Sequence, residues 1–69
     1  MIKLNKIEQF QLFCLENYKT HQNISGNVAL DIFEKKGVFN FLEMGFDVLH
    51  TQGINYVVDE IIVFIKNRP

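Results

Sequence analysis

Ile54-Asn55-Tyr56-Val57-Val58-Asp59-Glu60-Ile61-Ile62-Val63-Phe64-Ile65 is the stretch on which the fold turns. Its composition argues for a strand, because Val57, Val58, Ile61, Ile62, Val63 and Ile65 are β-branched. Its spacing argues for a helix. Ile54, Val57, Val58, Ile61, Ile62 and Ile65 recur at i, i+3, i+4, i+7, i+8 and i+11, the helical period rather than a two-residue alternation. Asp59, Glu60 and Lys66 then fall on the outer side. Period and length together predict a helix over 55–67, with a strand over 56–58 before a shorter helix as the alternative.

Immediately upstream lies Leu49-His50-Thr51-Gln52-Gly53, which reads as a helix end and a glycine turn. The imidazole, hydroxyl and amide are suited to the last helical carbonyls, and Gly53 is expected to supply a positive φ. The helix this turn closes is predicted over 40–51. It carries Phe41, Leu42, Gly45, Phe46, Val48 and Leu49, with Asn40, Glu43, Asp47 and His50 as a narrow polar strip. Asn40 followed by Glu43 suggests an N-cap, and Phe39 with Met44 a hydrophobic staple. Gly45 inside a helix costs roughly 1 kcal/mol against Ala, which points to close approach of another helix.

Further back, Ser25 is a candidate N-cap for a helix over 25–36, with Gly26 in its first turn. Val28, Ala29, Ile32 and Phe33 form its apolar stripe. Lys35 and Lys36 suit its C-terminal dipole, and Gly37 is a natural terminator. Thr20-His21-Gln22-Asn23 is a polar break. Before it, a helix over 5–19 places Leu4, Ile7, Phe10, Phe13, Cys14, Leu15 and Tyr18 on one broad side. Asn5 and Glu8 make a capping-box pattern. Leu12 lies off the stripe and is a candidate contact with a partner. The reading is an all-α chain, a compact bundle of four short helices in a single domain spanning 1–69.

A chain of 69 residues buries only about 60% of its unfolded surface. Yet 48% of the residues are hydrophobic and seven are Phe. That apolar content favours self-association or a protein partner covering part of it, with Leu12 and Met44 as interface candidates. The net charge is −1 and the longest basic run is Lys35-Lys36, so a primary nucleic-acid role is not expected. A helix-turn-helix around Gly37 would present Phe41, Glu43, Met44 and Asp47 from its reading helix, without Lys or Arg, whereas groove readout relies on Arg, Lys, Asn and Gln. A nucleic-acid-binding regulator is therefore the alternative reading.

Neither an export signal nor an apolar run long enough for a membrane span is visible, and the expected location is the cytoplasm. Cys14 is the only cysteine, so no internal disulfide forms, and between Phe13 and Leu15 it reads as a buried inert thiol. One Cys and two distant His, His21 and His50, do not make a zinc site. No cofactor or metal is expected. Asp47 and His50 are i, i+3 and able to touch, which would orient an imidazole as a base. The simpler reading is a solvated pair at a helix end, so the chain is not expected to be an enzyme. Asp47, His50, Thr51, Gln52, Gly53 and Tyr56 make a candidate recognition corner, in which Tyr56 packs back on the turn.

Ser25-Gly26, Ile32-Phe33, Gly37-Val38, Phe46-Asp47-x-Leu49-His50-Thr51-Gln52-Gly53, Tyr56 to Ile61 and Phe64-Ile65 together resemble a family of short bacterial proteins, the domain of unknown function 3791 family. The turn from Leu49 to Gly53 with its following Tyr56 is the most specific part. Family members tend to carry Glu where this chain has Val28, and often Tyr where it has Phe46. The resemblance implies a small partner encoded beside ADP-ribosyltransferase-like proteins, hence an antitoxin or accessory subunit of such an effector.

Overall fold

The computed structural model describes residues 3–68 and is helical throughout its ordered elements. Five helices follow one another: α1 (Lys6–Gln22), α2 (Gly26–Lys36), α3 (Val38–Met44), α4 (Phe46–Leu49) and α5 (Ile54–Lys66). Among the described residues there is no strand, so the helical period of the last segment prevails over its β-branched composition. The reason is burial. Val57, Val58 and Ile61 are buried, and Ile54, Ile62 and Ile65 pack against the same core. A helix places all six on one side, where a strand would turn alternate residues away.

The first two helices begin where local chemistry starts them. Asn5 caps α1, its side chain accepting from the Glu8 N–H at 2.8 Å while Glu8 Oε1 accepts from the Asn5 N–H at 3.0 Å. This reciprocal box satisfies two otherwise orphaned donors. The helix runs past the expected break and stops at Asn23, a non-glycine residue in left-handed conformation with φ 56°, which Asn tolerates better than most. Ser25 then caps α2 by accepting from the Val28 N–H at 3.2 Å. Gly37, at φ 72°, closes α2 and opens α3 in the same residue.

That double use of Gly37 moves the third helix start upstream of the expected Asn40. Asn40 caps nothing: its Nδ2 donates to Met44 Sδ, 3.5 Å away. Nor is there a staple, since Phe39 instead meets Phe33 edge-on, with centroids 5.3 Å apart, and Met44 is 80% exposed. The helix expected over 40–51 is two short helices joined at Gly45, whose φ of −96° and ψ of 7° depart from helical values. Helix-type bonds still cross the joint, Gly45 N–H to Phe41 O at 3.0 Å and Leu49 N–H to Gly45 O at 2.8 Å. The atoms closest to the space where a Cβ would stand belong to Leu49 and to the Phe41 carbonyl, not to a neighbouring helix as the sequence suggested.

One apolar cluster holds the helices together. Cys14 and Tyr18 come from α1, Ala29 and Phe33 from α2, Val38 and Leu42 from α3, Leu49 from α4, and Val57 and Ile61 from α5. The spacing Phe10, Cys14, Tyr18 is the true inner stripe of α1. Phe13 therefore sits at its edge and is exposed, contrary to the expected inward position; Val28 is likewise exposed on α2. Phe33 is fully buried between Tyr18 at 5.3 Å and Phe39, and truncating such a ring typically costs about 3–5 kcal/mol. A polar tie joins α1 to α3: Gln11 Nε2 donates to the Phe39 carbonyl at 2.9 Å.

Candidate functional site

The corner from Asp47 to Tyr56 is built on α4 and the turn into α5. His50 closes α4 with its own side chain: Nδ1 bonds the Phe46 carbonyl. A carbonyl only accepts, so Nδ1 carries the proton. The imidazole also stacks on the Phe46 ring, 4.3 Å between centroids and 8° from parallel. Phe46 in turn meets Phe10 of α1 edge-on at 5.5 Å. The imidazole is thus fixed to the body of the molecule through two rings, and the contact at Phe46 is made by the ring face, with no need of a hydroxyl.

This arrangement separates His50 from Asp47. Both are exposed, and among the described residues no ion pair or hydrogen bond joins them. Thr51 Oγ1 donates to the Val48 carbonyl at 2.7 Å, so two of the corner's polar side chains bond helix-end carbonyls, as expected. Gln52 is exposed and contributes its backbone N–H to Leu49 O at 3.1 Å. Gly53 departs from expectation. Its φ of −65° and ψ of 150° are extended, and it is the N-cap of α5, without a side-chain cap bond. The chain needs no left-handed residue here because Thr51 and Gln52 already close α4 with bonds to Val48 and Leu49. Tyr56 is half-exposed.

Cys14 is fully buried, and burial alone pushes its thiol up to about 12. It carries no nucleophile at neutral pH. Burial also raises the Tyr18 phenol. Among the described residues no three His, Cys, Asp or Glu side chains are grouped to hold a metal ion. No described helix is long and apolar enough to cross a membrane.

A second feature lies across α3 and α5. Phe41 and Phe64 stack at 4.3 Å and 18°. The Arg68 guanidinium lies 5.1 Å from the Phe64 centroid. Beside them opens a cleft of about 440 Å³, lined by Gly37, Asn40, Phe41, Met44, Gly45, Phe64 and Arg68. Sequence reading did not single this site out. The i, i+4 spacing of Phe64 and Arg68 was its one local signal; Phe41 reaches it only through the packing of α3 on α5.

The fold and these two features define a small all-α domain with an aromatic-anchored helix corner and an open, largely apolar cleft. The family model described as "Protein of unknown function (DUF3791)" matches residues 9–68, so the chain belongs to that family. No curated protein and no solved structure matches it.

Proposed function

We propose that this chain is a helical protein–protein interaction module, an antitoxin or accessory subunit of an ADP-ribosyltransferase-like effector. The observation that carries the interaction reading is the pair Met44 and Val48, 80% and 65% exposed; the ADP-ribosyltransferase-like effector is what the family resemblance implies. They stand one turn apart on the helical path through Gly45, outside the apolar core cluster. Leu12, Phe13, Val28, Leu30, Tyr56 and Val63 are also exposed. Single exposed apolar residues are ordinary, but two large ones a turn apart on a small domain suit a contact surface. The capping role of His50 and its separation from Asp47 weigh against a catalytic pair.

The test is co-expression with an ADP-ribosyltransferase-like protein encoded beside it, read by light scattering and by the enzyme's activity. A stoichiometric complex with inhibited or altered enzyme is expected. Met44→Asp and Val48→Asp should weaken it at least tenfold, because each charge would be desolvated on docking. A monodisperse monomer that leaves the enzyme unbound and unaltered refutes the reading.

A further inference from the structure

We infer that the cleft between α3 and the C-terminal end of α5 binds a small organic acid, a carboxylate carried on an apolar body. The inference does not depend on the interaction-module reading, since it concerns the cleft and not the Met44–Val48 surface as a whole. Three properties of the cleft select this ligand class.

The first is size and lining. About 440 Å³ falls within the range of roughly 300–1,000 Å³ typical of small-molecule sites. The walls are mainly apolar, with the stacked Phe41 and Phe64 rings as one side and Met44 at the mouth. Such walls favour an aromatic or branched aliphatic body.

The second is charge. Among the described residues Arg68 is the one charged residue in the lining, which holds no Asp or Glu. The chain as a whole carries a net charge of −1, so the cleft is locally positive on a slightly negative molecule. Among the described residues Arg68 has no carboxylate partner. A guanidinium presents a planar fork of donors that matches a carboxylate with two parallel bonds.

The third is that the guanidinium already lies along the cleft wall. It lies over Phe64, and its Nη2 sits 3.3 Å from where a Cβ would stand on Gly37. The glycine that joins α2 to α3 therefore leaves the room into which the cation fits. Asn40, also in the lining, has an amide held only by the long contact to Met44 Sδ and is free to serve as a second polar anchor.

The experiment is a titration of the isotopically labelled full chain with 3-phenylpropionate, followed by NMR. Controls are 3-phenylpropionamide and a tetrapeptide ending in Phe. Expected are saturable shifts confined to Gly37, Phe41, Met44, Gly45, Phe64 and Arg68, with the amide at least tenfold weaker. Arg68→Gln, an exposed position whose change leaves the core intact, should weaken the acid at least tenfold and the amide hardly at all. Arg68→Lys should retain only part of the affinity. Absence of shifts at millimolar acid, equal binding of acid and amide, or indifference to Arg68→Gln overturns the inference. So does binding of the peptide alone, which would make the cleft a seat for a chain terminus instead.

Discussion

Gly45→Ala sets two effects of opposite sign against each other. Replacing Gly by Ala stiffens the unfolded chain, a backbone propensity gain of about 0.4–1 kcal/mol. The backbone does not object, since φ −96° and ψ 7° lie in a region open to any L residue, though sparsely used. The side chain does object. The new methyl would stand 2.9 Å from Leu49 Cδ1, 3.4 Å from Leu49 Cγ and 3.3 Å from the Phe41 carbonyl oxygen. Carbon atoms pack best at about 3.5–4.0 Å, so the first contact is strongly repulsive. Leu49 is only 8% exposed and belongs to the core cluster, so swinging it aside disturbs its neighbours. Overpacking of this kind costs about 1–3 kcal/mol. Set against the propensity gain, the expected net is a loss of about 1 kcal/mol, or a fall of roughly 4–8 °C in Tm for a domain of this size. Urea and thermal unfolding followed by far-UV circular dichroism read it directly. The same substitution made in a Leu49→Ala background should cost markedly less or stabilise, because the Leu49 atoms are gone and only the 3.3 Å contact to the Phe41 carbonyl opposes the propensity gain; the coupling appears in a double-mutant cycle. A Gly45→Ala chain at least as stable as the parent, or equal effects in both backgrounds, would refute the assignment of this glycine to the Leu49 contact.

Gly53→Ser is expected to act in the opposite direction. The residue is an extended N-cap without a side-chain bond, and nothing lies within 4 Å of its absent Cβ. A hydroxyl supplies the missing cap and the change stiffens the unfolded chain, together worth about 1 kcal/mol of added stability, measurable as a higher urea midpoint. Cys14 should resist iodoacetamide at pH 8 in the folded protein and react at once in urea. Its pKa is raised from 9.0 to about 12, so folding favours the protonated thiol. The associated stability is complete below pH 9 and declines as pH rises from 9 toward 12; Tyr18, shifted in the same direction by burial, adds to the decline. Unfolding midpoints that are flat across that window in the wild type, or no different in a Cys14→Ala chain, would exclude the thiol as a contributor.

Much of the fold was legible because it is written in short-range signals. The Asn5–Glu8 box, the Ser25 cap, the Gly37 terminator and the 3.6-residue period of α5 each depend on residues within a few positions of one another. The third predicted helix misled for the same reason. Asn40 with Glu43 satisfies the pattern of a cap, but Gly37 had already turned the chain and α3 begins at once, which no local rule forbids. The sequence assigns Gly45 to the interior of one helix and to the approach of another, whereas it joins two short helices and its missing Cβ would meet Leu49 and the Phe41 carbonyl; a sequence shows that a Cβ is missing and not what would meet it. At the corner, the capping roles of His50 and Thr51 followed from residue type. The stacking of His50 on Phe46, and of Phe46 against Phe10, did not, because it joins α4 to a helix some 36 positions earlier (46 − 10). The Phe41–Phe64 wall of the cleft was hidden for the same reason.

The distribution of helix caps divides the molecule into halves of different character. Side chains cap the N-termini of α1 and α2, whereas α3, α4 and α5 start without such a bond. The first half is encoded locally, and its helices have reason to persist when tertiary contacts loosen. The second half holds its shape only while Val38, Leu42, Leu49, Val57 and Ile61 remain pressed into the shared core. Local opening should therefore be asymmetric, with residues 38–66 releasing as a unit from a more durable α1–α2 hairpin. The corner lies in the releasing half and most of the cleft lining, Asn40, Phe41, Met44, Gly45 and Phe64, does too, so whatever occupies either of them also sets how often that half lets go.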